Sequence, residues 1–159
     1  LPDPVLSRVA AVVDPADPAV VALAEAMVTL MRASARCVGV AAPQVGESLR
    51  LFVLDVSGHK MARSQNGLVV LVNPVVVERA GRKVAREGCL SVPDLTGDVP
   101  RSTEIVVRGF EPGSGAVRVV EADAFEARAL QHELDHLDGL LFVDRVATPE
   151  GIYSRRSYG

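Results

Sequence analysis

The chain has 159 residues, with 48% hydrophobic and 23% charged side chains and a formal net charge of −3. That is the composition of one ordinary globular domain with a core large enough to hold a rigid cavity. The lack of a basic excess argues against nucleic-acid binding, and no apolar run approaches the roughly 20 residues a membrane helix needs. Two cysteines, Cys37 and Cys89, are too few for a disulfide scaffold and fit a reducing compartment.

In chain order, "DPAVVALAEAMVTLMRAS" predicts an amphipathic helix from Asp17 to about Ser34. Asp17 is its N-cap, Pro18 its first residue, and Val20, Leu23, Ala24, Met27, Leu30 and Met31 its apolar stripe. Then "LRLFVLDV", "LVVLVNPVVVERA", "TEIVVRGF" and "AVRVVEA" are short and β-branched, and are bounded by turn residues. They predict four or more mostly antiparallel strands, because their connections are too short for helical crossovers. Residues 57–67, "SGHKMARSQNG", read as a polar loop with His59 at the surface. Asp123 with Glu126 three residues on predicts a capping box, opening a helix of about four turns that Gly139 ends. "GLLFVDRV" predicts one more short strand, and about 148–159 a loose tail.

The chemistry lies in "QHELDHLDG". His132 and His136 are four apart on the helix, so both imidazoles leave one face and can share an ion, while Glu133 is placed to reach a water on it. A catalytic site of this kind takes a third protein ligand. The long metalloprotease pattern HExxHxxGxxH would put it at position 142, which is Phe142, and no histidine follows His136. Asp144 stands just beyond the helix stop and Glu150 in a Pro-Glu-Gly turn, so neither carboxylate is attractive. Cys89, in "EGCLS" beside Gly88, is the better third ligand, because a thiolate is a strong soft donor to Zn²⁺ or Fe²⁺. The alternatives for that cysteine are a small buried hydrophobe or a nucleophile paired with histidine.

"CVGVAAPQVG" from Cys37 to Gly46, "EGCLS" and "QHELDHLDG" together resemble the peptide deformylases, over nearly the whole chain from Pro2 to Val146. The resemblance implies an α+β fold: antiparallel strands packed around a central C-terminal helix carrying HExDH, with an N-terminal amphipathic helix. It implies one catalytic domain over residues 1–159 that hydrolyses the N-formyl group from the initiator methionine of nascent chains and releases formate. By the same resemblance Cys89, His132 and His136 hold one divalent metal, with Fe²⁺ physiological and Zn²⁺ or Ni²⁺ as replacements. Glu133 is the acid/base, and Gln44 and the Leu90 N–H polarise the formyl oxygen. Gly39 offers backbone contacts to the peptide, and Val38, Phe125 and Ala129 wall the methionine pocket.

The expected partners are N-formylmethionyl peptides, with ribosome association following from the family role and neither nucleic acid nor membrane bound directly. The expected location is the cytoplasm, or an organelle if a leader has been removed. One departure stands out: the family's GxGxAAxQ motif has Cys37 at its first glycine. Rival readings are a zinc endopeptidase, a structural metal module and a silent peptide binder. Phe142 discourages the first, and the presence of Glu133 and Gln44 discourages the other two.

Overall fold

The computed structural model describes residues 3–34, 37–89, 91–146 and 148–154. Helix α1 (Pro18–Ala33) starts where the sequence places it, with the Asp17 carboxylate accepting from Ala19 N–H at 2.9 Å. Strands β1 (Gly39–Ala41), β2 (Leu51–Leu54), β3 (Val69–Ala80), β6 (Glu104–Phe110) and β7 (Val117–Asp123) form an antiparallel sheet in the order β1-β2-β3-β6-β7. Strands β4 (Lys83–Cys89), β5 (Val92–Arg101) and β8 (Ile152–Ser154) form a second antiparallel sheet in the order β4-β5-β8. Helix α2 (Ala124–Leu137) carries the HELDH stretch.

Strand β2 explains how the first sheet sits. Its four residues Leu51, Phe52, Val53 and Leu54 are all fully buried, because each face of the sheet is covered. Phe52 and Leu54 pack with Leu71, Val107 and Val120 against Ala127, Leu130, Leu134 and Leu137 of α2. Leu51 and Val53, on the opposite face by the two-residue period of a strand, pack with Val72 against Val20, Ala24, Met27 and Met31 of α1. The HELDH helix is therefore central, held between the first sheet and the β4–β5 hairpin.

Several elements differ from the sequence reading. Asp123 does not cap α2 with its side chain. Its carboxylate accepts from Ser64 N–H (2.9 Å), and Glu126, fully buried, accepts from Ser64 Oγ (2.7 Å), Asn66 N (2.8 Å) and Asn66 Nδ2 (2.6 Å). The apparent capping box is thus an anchor for the 57–67 loop. "GLLFVDRV" is not a strand: Phe142–Arg145 form a 3₁₀ turn that buries Phe142 against Cys89 and Val99. Within the expected tail, Ile152–Ser154 pairs with Leu95–Gly97 of β5 and Tyr153 stacks under Arg86, 3.7 Å from its guanidinium carbon. Residues 155–159 lie outside the described residues.

Candidate metal centre

Three elements converge on one buried point. Helix α2 supplies His132 and His136, whose rings meet edge to face with centroids 5.0 Å apart. Strand β4 ends in Cys89, where the hairpin register shifts between Gly88 and Cys89 and turns the thiol inward. Its sulfur lies 3.5 Å from His136 Nε2, and the ligand atoms of Cys89, His132 and His136 all fall within 4.8 Å of one another. The 3₁₀ turn Ala42–Val45 then brings in Gln44: its Oε1 accepts from Ala41 N–H (2.9 Å), which aims Nε2 at Ser91 Oγ (3.1 Å) and Cys89 Sγ (3.5 Å).

Glu133 is buried beside this trio, and its Oε2 has no hydrogen-bond partner among the described residues. An unpaired buried carboxylate oxygen is expensive, typically about 1–3 kcal/mol or more, and calls for a reason. Burial pushes the Glu133 carboxyl above its ordinary range, with the negative charge of Cys89 adding to the effect and the imidazoles of His136 and His132 opposing it. A carboxyl raised in this way holds a proton more readily than a free one, which suits a group that must take and return one.

Electrostatics favour a cation among the three donors. Burial alone would raise the Cys89 thiol, but hydrogen bonds from His132 and His136 outweigh it and bring the pKa down to about 5. His132 is raised to about 10, its burial overcome by the hydrogen bonds to Cys89 and Glu87. Its Nδ1 is 3.1 Å from Glu87 Oε1, so Nε2 is the nitrogen turned to Cys89, and a metal bound there would displace the proton that Nε2 carries. A thiolate, an oriented imidazole and a second imidazole make a donor set that suits a borderline or soft divalent ion. The residues present therefore fit a single metal.

Sequence reasoning missed Glu87, the group that orients His132. Glu87 takes two hydrogen bonds from Arg101 of β5, Nε and Nη2 both at 3.0 Å. Arg101 in turn donates through Nη1 to Asp135 of α2, and Arg145 clamps the same carboxylate at 3.1 and 2.9 Å. Asp135 thus braces Arg101, which holds Glu87 behind the candidate ligand His132. The signal for Glu87 was present two residues before Cys89: a metal-binding histidine needs an acceptor for its other nitrogen. A cavity of about 310 Å³, walled in part by Arg79, Arg101, Gln131 and Asp135, adjoins this network but includes none of the three ligands.

The remaining expected residues fall as follows. Gly39 opens β1 directly against Glu133: a Cβ there would stand 3.1 and 3.2 Å from that side chain and 3.0 Å from Leu54 Cδ1. Val38, Phe125 and Ala129 are half-buried and border the same core cluster. Leu90 lies outside the described residues. Cys37, half-buried, donates its thiol to the Gly39 carbonyl at 3.3 Å, and burial raises its pKa. His59, read as a surface residue, is half-buried with its ring against Phe125.

Comparison with known proteins identifies the family. The family model described as polypeptide deformylase matches residues 1–151. A peptide deformylase of Halothermothrix orenii is 43% identical over 144 residues, covering 91% of this chain and 88% of the relative. The crystal structure of a peptide deformylase from Legionella pneumophila superposes with a TM-score of 0.83 at 38% identity, covering 95% of this chain and 85% of that one. That of the peptide deformylase from Thermus thermophilus gives 0.79 at 43% identity, covering 93% and 83%. With a matching family model, a similar relative and a shared fold all pointing the same way, the chain belongs to the polypeptide deformylase family.

Proposed function

We propose that Cys89, His132 and His136 hold one divalent ion, Fe²⁺ in the cell, and that Glu133 is the acid/base of an enzyme that removes the N-formyl group from nascent polypeptides. The single observation that carries this reading is the buried trio of ligand atoms within 4.8 Å of one another, beside a carboxylate oxygen with no partner among the described residues. Bound there, the ion supplies Lewis acidity and lowers the pKa of water from near 16 toward about 7.

The chain's own residues do the rest. Glu133 takes the proton that the attacking water sheds and later gives it to the departing amine nitrogen. The Gln44 Nε2–H, held toward the centre by Ala41, donates to the formyl oxygen as negative charge grows on it. Strand β1 is the edge of its sheet and pairs only with β2 among the described residues, so its outer side can hydrogen-bond an extended peptide laid beside Gly39. Val38, Phe125 and Ala129 receive the methionine side chain. Residues 1–159 act as one catalytic domain, in the cytoplasm, on N-formylmethionyl chains leaving the ribosome.

The test is formate release from a formyl-Met tripeptide by protein kept free of oxygen and loaded with Fe²⁺, beside a Glu133→Ala control of equal metal content. Release that the control abolishes is the expected result. No release from protein holding one metal per chain would overturn the reading.

A further inference from the structure

Of the three histidines, His59 belongs to no metal ligand set among the described residues and lies on the 57–67 loop. Its ring stacks flat on Phe125, with centroids 3.9 Å apart and planes within 5° of parallel. The ring is held there by its own turn. His59 N–H donates to Val56 O (3.0 Å), His59 O accepts from Ala62 N (3.0 Å), and ring Nδ1 accepts from Met61 N–H (3.1 Å). Rotating the ring away would break the last of these bonds. Farther along, the loop is moored by the bonds from Ser64 and Asn66 to Glu126 and Asp123. It is a fixed roof.

What the roof covers follows from helix spacing. Phe125, Ala129 and His132 succeed one another at steps of four and three residues, so they form one row along α2 that ends at the metal centre. Ala129 is the shortest side chain of that row. Val38 and Ala62 pack against the same core cluster as Phe125 and Ala129. A side chain entering beside His132 and passing over Ala129 therefore meets Phe125 at its far end. His59 covers one face of the Phe125 ring and so blocks movement to that side.

We propose that His59 is a specificity-determining residue: by stacking on Phe125 it fixes the far wall of the pocket for the formylated residue's side chain and so limits its size. This rests on the deformylase reading and on Phe125 as a wall of that pocket. A long, flexible thioether passes over Ala129 and ends against the aromatic pair, where sulfur–ring contact is favourable. A wide, rigid side chain needs Phe125 to move.

The test compares kcat/KM for formyl-Met and formyl-Phe tripeptides in the native protein, in His59→Asn and in His59→Phe, all at equal metal content. Asn keeps an acceptor for the Met61 N–H but loses the ring, whereas Phe keeps a ring and loses the acceptor. The expected result is that His59→Asn shifts the Met-to-Phe ratio toward formyl-Phe by about 10-fold, the scale on which apolar pockets discriminate. The shift should come mainly through KM. His59→Phe should keep the native ratio. An unchanged ratio in His59→Asn, or an equal fall for both substrates, would overturn the proposal. Native protein that releases no formate from either peptide would instead refute the deformylase reading beneath it.

Discussion

Replacing Glu87 by Gln tests the centre through a residue that is not itself one of the three candidate ligands. Two donors meet at Glu87 Oε1, His132 Nδ1–H and Arg101 Nη2–H, while Arg101 Nε–H points at Oε2. A glutamine has one oxygen for these two positions. With the oxygen toward His132, the new NH₂ faces Arg101 Nε–H; with the amide turned over, NH₂ faces His132 and favours the tautomer whose Nε2 carries the proton and cannot bind metal. Loss of such an orienting acceptor typically weakens metal affinity by about 10- to 100-fold, roughly 1.4–2.8 kcal/mol. Breaking a buried charged pair costs about 3–5 kcal/mol when a partner is left alone. Arg101 keeps Asp135, so the fold should lose less, on the order of 2–3 kcal/mol. Competition with a chromophoric chelator reads the first quantity, and urea unfolding of the metal-free protein reads the second. Unchanged metal affinity alongside a full loss of stability would mean that Glu87 only braces the hairpin, and would refute the orienting role.

Three further outcomes can be checked. Gly39→Ala should retain metal but lose kcat by at least about 10-fold, because its Cβ would press Glu133 out of place; full activity would show that the carboxylate tolerates displacement. Acid should weaken the fold through Glu87, whose carboxyl is held at about 2 against an ordinary 4.5, with hydrogen bonds from His132 and Arg101 overcoming its burial. A lowered carboxyl contributes its stability above pH 4.5 and loses it as pH falls toward 2, here roughly 3 kcal/mol in all. The urea-midpoint gap between the native protein and Glu87→Gln should therefore narrow from pH 6 to pH 3, and a constant gap would contradict this. Iron-loaded protein should lose activity in air and keep it without oxygen, because a thiolate ligand on iron is open to oxidation; equal half-lives would count against iron.

How far the chain could be read depended on where each residue finds its partner. The HELDH helix was legible because periodicity and ligand spacing are local, and Cys89 because the helix lacked a third donor. The β4–β5 hairpin was not. Its two buried charges, Glu87 and Arg101, look like surface residues until paired with each other and with α2, and Pro93, Gly97 and Pro100 break the usual strand signal. Asp123 and Glu126 have the spacing of a cap, yet a loop some 60 residues earlier in the chain claims both. The same long reach hid His59, whose polar neighbours suggest solvent while its ring rests on a helix far downstream in the chain.

The two sheets also give the ion a mechanical part to play. Cys89 closes the β4–β5 hairpin and His136 sits on the helix packed against the other sheet, 47 residues away in sequence. Beneath the hairpin the apolar seam is small, with Cys89, Val99 and Phe142 as its buried members. An ion bound to both residues would act as a cross-link, closing a loop for which chain-entropy arguments give about 4 kcal/mol. It would fasten the hairpin as a disulfide does, by a bond that survives where thiols stay reduced, and a chelator would undo it without any reductant.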